Sequence, residues 1–266
     1  MKRIKKISFI LLIITTVFMI GFNGYEFITS DKEPPIITCT DKEMVVSVSV
    51  SENELLQDVK AKDDKSGDVT SSVVVEKMSS IDEDGTRIIT YAAIDAAGNV
   101  GRKERIIRYT DYTKPKFKLT KPLRFPLGKI PNNIIENVQA SSSIDGDITG
   151  NVKFQFTKDQ VLNQEGMVEL EIRVTDSSGI SSALTIQAEV YDDKAEKIQL
   201  ELNDYLIYLP VGAEFNPNEY YVGATEEGNL EIISNVNTAV AGTYSVDYTV
   251  RGRNNYGKTR LIVVVE

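Results

Sequence analysis

One unit that occurs three times along the chain decides the fold. Residues 85–111 read GTRIITYAAIDAAGNVGRKERIIRYTD, residues 166–193 read GMVELEIRVTDSSGISSALTIQAEVYDD, and residues 242–266 read GTYSVDYTVRGRNNYGKTRLIVVVE. The leading glycines lie 81 and 76 residues apart. An earlier signature, SGDVT at 66–70, recurs as DGDIT at 145–149. Recurrence at a nearly fixed period indicates tandem copies of one structural unit, each of the size of a small all-β domain.

Each copy contains two strand-like runs separated by a turn. From Val168 to Val174, and again from Tyr244 to Val250, apolar residues alternate with polar ones. A period of two with one apolar face is typical of a half-buried antiparallel strand. Turn-forming pairs such as Asp84-Gly85 and Ser178-Gly179 stand beside these runs. Many short strands with regular turns predict an all-β chain, and three copies with short connections favour three tandem β-sandwich modules.

The repeats also predict the domain boundaries. We place module 1 at residues 34–111, module 2 at residues 115–193 and a divergent module 3 at residues 196–266. The connecting segments near Lys114 and Ala195 are too short to act as flexible tethers. We therefore expect the modules to form a semi-rigid rod.

Residues 1–30 carry the signals of a membrane anchor. Four cations open the chain: Lys2, Arg3, Lys5 and Lys6. The uncharged run Ile7–Phe22 that follows is typical of a signal peptide or of an uncleaved signal anchor. No small-x-small cleavage site follows closely, so we favour a single-pass transmembrane helix. The acidic exit at Asp31 and Glu33 predicts a cytosolic start and an extracellular bulk of the chain.

Composition narrows the functional classes. The formal net charge is -9, whereas a nucleic-acid groove needs an excess of Lys and Arg, so nucleic acid is not expected as a partner. The sequence has no histidine, the commonest general base and transition-metal ligand. Its single cysteine, Cys39, cannot close an intrachain disulfide. Because Cys39 lies in a strand-like segment far beyond the apolar run, we expect a buried small side chain and no lipidation.

The repeat resembles a known family. An acidic turn with Gly-Asp-[Val/Ile]-Thr, followed by G-T-x-x-x-T-Y-x-A-x-D-x-x-G-N, is similar to the immunoglobulin-like repeats of bacterial cell-surface proteins, a type also attached to some pesticidal crystal toxins. Module 2 has Ile172 in place of Tyr91, and module 3 has lost the Gly-Asp-[Val/Ile]-Thr turn. The matching residues of module 1 are Asp64, Gly67, Asp68, Val69, Thr70, Gly85, Thr86, Thr90, Tyr91, Ala93, Asp95, Gly98 and Asn99.

The resemblance implies an immunoglobulin-like β-sandwich in each module and an exported location. Such repeats accompany adhesins, secreted enzymes and toxins, so the family does not fix a partner. We expect a membrane-anchored extracellular structural or adhesive protein that presents its modules to an unknown protein or glycan. The alternative is an accessory subunit of a cell-envelope complex for secretion, polysaccharide assembly or sensing. Enzyme activity is not expected, because so small a sandwich leaves little room for a cleft.

Seven aspartates in the turns are the candidate site residues. Calcium takes six to eight oxygen ligands from carboxylates, amides and carbonyls on loops. The same residues form turns through hydrogen bonds with their own backbone, while Gly67 and Gly98 supply positive φ. We favour the turn-forming role and assign no catalytic, cofactor or metal residue, with calcium as the open alternative. The aspartates are Asp63, Asp64, Asp68, Asp95, Asp145, Asp147 and Asp176, and Asn99 and Asp111 are possible further ligands.

The orientation of the anchor is testable. We expect protease added to intact protoplasts to remove the chain from about residue 31 onward and to leave Met1–Lys6 protected, because the cationic start stays in the cytosol. The fragments are identified by mass spectrometry. Complete protection of the chain, or release of all of it as a soluble form, would contradict this topology.

Overall fold

The chain divides into two compact units. In the computed structural model the described residues are 11–21, 31–82, 84–129, 133, 135–157, 164–194 and 196–266. The first unit consists of Met1–Ser79 and Thr86–Thr110, and the second of Ser80–Gly85 and Asp111–Glu266.

The described part of the amino-terminal segment is a short helix over residues 11–21, whose side chains are exposed. Among the described residues, no helix is long and apolar enough to cross a membrane. The rest of the segment predicted as an anchor, residues 1–10 and 22–30, lies outside the described residues.

Two sheets build the β-structure of the first unit. One has the strand order β1-β3-β4 and the other the order β2-β7-β6-β5. Strand β2 runs parallel to β7, and the other pairings are antiparallel. A short helix, Glu52–Leu55, precedes β3. The strands are β1 (Ile36–Cys39), β2 (Glu43–Val46), β3 (Val59–Asp63), β4 (Gly67–Asp68), β5 (Val74–Met78), β6 (Thr86–Ile94) and β7 (Val100–Tyr109).

The first seven strands of the second unit repeat this arrangement. Their sheets have the orders β11-β10-β8 and β12-β13-β14-β9, and β9 runs parallel to β14 as β2 does to β7. The strands are β8 (Lys116–Leu119), β9 (Arg124–Pro126), β10 (Val138–Ser142), β11 (Gly146–Asp147), β12 (Lys153–Phe156), β13 (Gly166–Thr175) and β14 (Ser181–Tyr191).

The last six strands form a third version. Their sheets have the orders β15-β17 and β16-β20-β19-β18, with β16 parallel to β20. Within residues 196–266, all of which are described, no strand corresponds to β4 or β11, because this copy lacks the Gly-Asp-[Val/Ile]-Thr turn. The strands are β15 (Leu200–Leu202), β16 (Leu206–Leu209), β17 (Tyr221–Ala224), β18 (Asn229–Ser234), β19 (Gly242–Arg251) and β20 (Tyr256–Val265).

The all-β fold predicted from the alternating pattern is confirmed. In β13, Val168, Leu170, Ile172 and Val174 are all buried, whereas the side chains between them are at least partly exposed. Each copy thus pairs two sheets through apolar faces, which is the arrangement of a β-sandwich. Whether each of the three modules folds independently stays a prediction.

A buried residue in the penultimate strand marks the centre of each copy. The positions are Tyr91, Ile172 and Tyr248, each with 0% of its surface exposed. The Tyr91 hydroxyl donates to the Leu55 carbonyl at 2.9 Å, and the Tyr248 hydroxyl donates to the Pro217 carbonyl at 2.7 Å. Each tyrosine thereby fills the core and ties a short helical segment to it, which the isoleucine of module 2 cannot do.

Module 3 contributes two buried side chains to the hydrophobic core of module 2, while its other buried residues form a separate cluster. Leu206 and Ile262 of module 3 belong to the buried cluster that contains Phe117 of module 2. The Phe117 backbone N–H donates to the Tyr208 hydroxyl at 2.9 Å. The two modules are therefore packed against each other through side chains and are not merely tethered.

The contacts between modules 2 and 3 extend along β20. Lys116, at the start of β8, forms an ion pair of 2.6 Å with Glu266, which follows β20. Near the middle of β20, Arg260 donates to Gln187 of β14 at 3.2 Å. Contacts with module 2 thus occur from Arg260 to Glu266, so the two modules lie side by side, whereas the sequence predicted a semi-rigid rod. The nearly continuous apolar run of β20 explains the difference, because a strand covered on both faces needs no polar face.

A buried arginine holds the junction together. Arg124, whose side chain is 7% exposed, pairs with Glu189 at 2.7 Å and with Glu196 at 2.5 Å. Its guanidinium also donates to the Lys258 carbonyl and lies over the Tyr191 ring, 4.5 Å from the centroid. One side chain therefore connects β9, β14, the connecting segment and β20.

Replacing Arg124 with Met should cost about 3–5 kcal/mol of unfolding free energy, because the change leaves Glu196 buried without its partner. Urea denaturation of the full chain measures the loss, and hydrogen exchange should show lost protection in β9, β14 and β20. The matched control is Arg173→Met, which breaks an ion pair whose arginine side chain is 57% exposed and should cost no more than about 1 kcal/mol. Equal costs for the two variants would contradict the role of Arg124.

Candidate functional site

The structure brings three aspartates together at one end of the first unit. Asp31 precedes β1, Asp63 ends β3, and Asp95 follows β6. One carboxylate oxygen from each lies within 4.8 Å of the others. These three residues are called the acidic cluster below.

The turns of the repeat hold two members of the cluster in place. Asp63 accepts hydrogen bonds from the backbone N–H groups of Lys65 at 3.0 Å and Ser66 at 2.6 Å. Asp95 accepts from the Asn99 backbone at 2.8 Å and from the Asn99 amide at 2.7 Å. Both aspartates are buried, with 4% and 7% of their surface exposed. Turn formation and convergence of the carboxylates are thus compatible, although the sequence presented them as alternatives.

Asp31 completes the cluster and has an unpaired oxygen. Its side chain is 10% exposed, and its Oδ1 accepts from the Glu33 N–H at 3.2 Å and lies 3.9 Å from the Lys65 ammonium. Its Oδ2 is buried and has no hydrogen-bond partner among the described residues. The Asn99 amide donates to the Asp31 carbonyl at 3.2 Å, so Asn99 joins this segment to the turn after β6.

Local hydrogen bonds favour the ionised form of Asp95. Burial raises the pKa of this carboxyl, but hydrogen bonds from the Asn99 side chain and from the backbone of the turn outweigh burial and lower the pKa overall. Asp95 therefore holds its charge in a buried position.

The other aspartates of the first two repeats serve their own turns. Asp68 and Asp147 accept from the backbone N–H groups of Thr70 and Thr149, both at 2.9 Å, and these threonines lower the pKa of each carboxyl. Asp64 is exposed in the turn after β3 and does not belong to the cluster. The predicted turn-forming glycines are confirmed, because Gly67 and Gly98 have φ of 76° and 90°.

In module 2, serine hydroxyl groups donate hydrogen bonds to the aspartate of the corresponding turn. Ser142 stands at the end of β10 where Asp63 ends β3, and its hydroxyl donates to Asp176 at 3.2 Å. The Ser178 hydroxyl donates to the other Asp176 oxygen at 2.6 Å. Asp145 accepts from Ser177 in the same region. Module 2 therefore has one buried carboxylate surrounded by hydrogen-bond donors, where module 1 has three carboxylates close together.

Module 3 carries no acid at this position. Gly252 takes the place of Asp95 and Asp176, and its N–H donates to the Asn255 carbonyl at 3.0 Å, as the Asp95 N–H does to Asn99. Tyr221 stacks on Tyr248 with ring centroids 6.4 Å apart, and Tyr220 contacts Phe215, so both rings pack within the module. The backbone bond that closes the turn joins residues 95 and 99 in module 1 and residues 176 and 180 in module 2, but residues 252 and 255 in module 3, so the third turn is shorter as well as uncharged at this position.

A groove between modules 2 and 3 is a second candidate site. Its volume is about 1350 Å³, and polar side chains make up most of its walls. Arg124, Glu196 and Tyr191 are among the residues that line it. Further lining residues are Lys118, Lys129, Asp193, Gln199, Asn203 and Thr225. Sequence reasoning missed this groove because it follows from the side-by-side packing.

Asp31 was also missed as a site residue, although the repeat contained a signal for it. Asp31 and Asp111 each stand four residues before the proline that precedes the first strand, Pro35 and Pro115. Asp111 was recognised as a possible ligand. Aligning the two copies one segment earlier would have identified Asp31 as its counterpart.

Comparison with known proteins gives distant likenesses. No protein-family model matches the chain. The uncharacterized 81.3 kDa protein of Acholeplasma phage L2 is 24% identical over 178 residues, which cover 64% of this chain and 23% of that protein. This chain therefore spans less than a quarter of the length of the curated relative it matches.

Solved structures show only a weak likeness. A structure of CBM51-2 in complex with GlcNAc and INT domains from Clostridium perfringens ZmpB is 13% identical, with 87% of this chain and 42% of that chain covered and a TM-score of 0.24. Human CDH23 EC21-23 is 12% identical, with 87% and 100% covered and a TM-score of 0.22. Because these TM-scores are so low, the likenesses carry no argument about function.

The serine network of module 2 can be tested by mutation. Ser142→Ala should lower the free energy of unfolding by about 1–3 kcal/mol, because Asp176 loses a buried donor and the Ile144 N–H loses its acceptor. The control is Ser141→Ala, an exposed position on the same strand at which the change should be within about 0.5 kcal/mol. Chemical denaturation of both variants measures the difference, and equal stability would contradict the network.

Proposed function

We propose that this chain is a membrane-anchored extracellular structural or adhesive protein that presents immunoglobulin-like modules to a glycan or protein partner. In this proposal residues 1–30 hold the chain in the membrane, the bulk of it lies outside the cell, and it catalyses no reaction. The cationic start and the uncharged run support the anchor, and the repeated sandwiches support a structural or binding role.

The groove between modules 2 and 3 is the observation that carries the proposal. Its walls come from two modules that pack against each other through buried side chains, so the groove exists before any ligand arrives. A preformed site loses little conformational entropy on binding. Exposed Lys118 and Gln199 and the half-buried Tyr191 ring offer donors, acceptors and an apolar face within one groove. This chemistry suits a glycan or a polar peptide segment.

The charged groups of the groove favour binding over catalysis. The Glu196 carboxylate is 6% exposed and is engaged by Arg124, so it is not free to act as a nucleophile or base. Asp193 pairs with Lys129 at 2.5 Å, and this partner lowers the pKa of Asp193. A general acid requires the opposite shift, because it must hold a proton near neutral pH.

Binding to glycans from the cell envelope tests the proposal. Purified full chain in mild detergent is measured against a glycan array and against isolated wall polysaccharide. We expect saturable binding that the double change Lys118→Ala with Gln199→Ala weakens about tenfold or more, equivalent to about 1.4 kcal/mol. The matched control alters Lys153 and Gln155, which are exposed on β12 and do not line the groove.

Two results would count against this function. Glycan binding that the groove variants leave unchanged would remove the groove from the proposal. Absence of glycan binding, together with stoichiometric purification of the chain inside an envelope assembly, would favour the accessory-subunit alternative.

A further inference from the structure

We propose that the acidic cluster binds one calcium ion, which joins the segment before β1 to two turns of the first module. Asp31, Asp63 and Asp95 supply the carboxylates, and solvent completes the shell. The inference goes beyond the function proposed above and uses a different part of the chain.

The spacing of the carboxylates suits a calcium ion. Calcium–oxygen distances are about 2.3–2.6 Å, so two oxygens on one ion lie at most about 4.6–5.2 Å apart. The three oxygens of the cluster lie within 4.8 Å of one another. Three aspartates, each able to bind through one or both oxygens, provide three to six of the six to eight ligands that calcium takes.

A buried oxygen without a partner points to a missing ligand. Asp31 is nine-tenths buried, and its Oδ2 has no hydrogen-bond donor among the described residues. Buried polar atoms are normally paired, and an unpaired carboxylate oxygen is costly. A cation held by all three aspartates would satisfy this atom.

Charge balance supports a divalent ion. The three carboxylates carry a formal charge of -3 within a few ångströms. In the described part of the chain, the ion pair to the cluster comes from Lys65, whose side chain is 58% exposed and lies 3.9 Å from Asp31. One distant, solvated ammonium leaves about two negative charges, which repel strongly when water is excluded. A calcium ion balances them.

Module 2 shows how the same scaffold manages without an ion. There Ser142 replaces Asp63, and hydroxyl donors satisfy Asp176. A single carboxylate surrounded by hydrogen-bond donors needs no cation, whereas three neighbouring carboxylates need one to balance their charge. The two modules thus form a natural pair of site and control within one chain.

Calcium bound at this site would stabilise the start of the first unit. Asp31 lies where the chain enters the first module, so an ion shared with Asp63 and Asp95 fixes that entry. Extracellular modules typically bind calcium with dissociation constants of about 0.1–1 mM. Whether calcium occupies the site in the cell rests on the proposed extracellular location. Binding itself is measured on the purified chain, so the calcium site and the proposed function can each fail without the other.

Calorimetry and thermal unfolding of the full chain test the site. Titration of chelator-treated protein with calcium chloride should give one ion per chain with a dissociation constant of about 0.1–1 mM. At 10 mM calcium one thermal transition should rise by roughly 5 °C or more, and chelator should reverse the rise. Magnesium chloride should bind at least tenfold more weakly, because it demands a tighter octahedral shell.

Conservative variants separate an ion site from a purely structural cluster. Asp63→Asn keeps an oxygen for the N–H groups of Lys65 and Ser66 but removes one charge. We expect this variant, and likewise Asp31→Asn, to lose calcium binding while unfolding without calcium at the wild-type temperature or above it, because repulsion is relieved. Asp176→Asn, in the corresponding turn of module 2, should bind one calcium as the wild type does.

Several outcomes would overturn the inference. These are absence of binding at millimolar calcium, undiminished binding by Asp63→Asn, loss of binding in Asp176→Asn alone, and equal affinity for magnesium. A lower unfolding temperature of Asp63→Asn without calcium, combined with no calcium response in the wild type, would show that the carboxylates serve the turns only.

Discussion

The second unit depends on one buried guanidinium. Arg124 connects two strands of module 2 with Glu196 and the Lys258 carbonyl of module 3. A charge with so little exposure is tolerated because carboxylates, a carbonyl and an aromatic ring surround it. Its bonds are directional, so they fix the register of β20 against module 2, while Leu206 and Ile262 supply apolar contact. The groove beside the junction follows from that register.

The three modules show how one backbone supports different surface chemistry. Each keeps the parallel pairing of its second and last strands and the turn between its last two strands. At that turn, module 1 gathers three carboxylates, module 2 surrounds one aspartate with serine hydroxyls, and module 3 has a glycine. Loops on a rigid sandwich can change in this way without cost to the core. Differences between the repeats of one chain therefore indicate where a functional site lies.

Much of the fold was predictable because strands and turns depend on residues that are close together in the sequence. The alternation in β13 and β19 predicts strands, and the recurring glycine motif predicts three copies. The short helix Glu52–Leu55 also has a sequence signal, the capping box of Ser51 and Glu54. The side-by-side packing was not predictable, because a continuous apolar run such as that of β20 shows burial on both faces but not the partner. Asp63 and Asp95 were identified in advance, whereas Asp31 joins them only through tertiary structure.

The most direct test of the account is zero-length carbodiimide cross-linking of the full chain, read out by mass spectrometry. Lys116 and Glu266 form an ion pair of 2.6 Å, which places the start of module 2 beside the end of module 3. The account predicts an intramolecular 116–266 cross-link whose yield does not depend on protein concentration, together with the 129–193 cross-link inside module 2 as a positive control. Formation of the 129–193 cross-link alone, as expected if the modules were joined end to end, would contradict the side-by-side arrangement and the groove that depends on it.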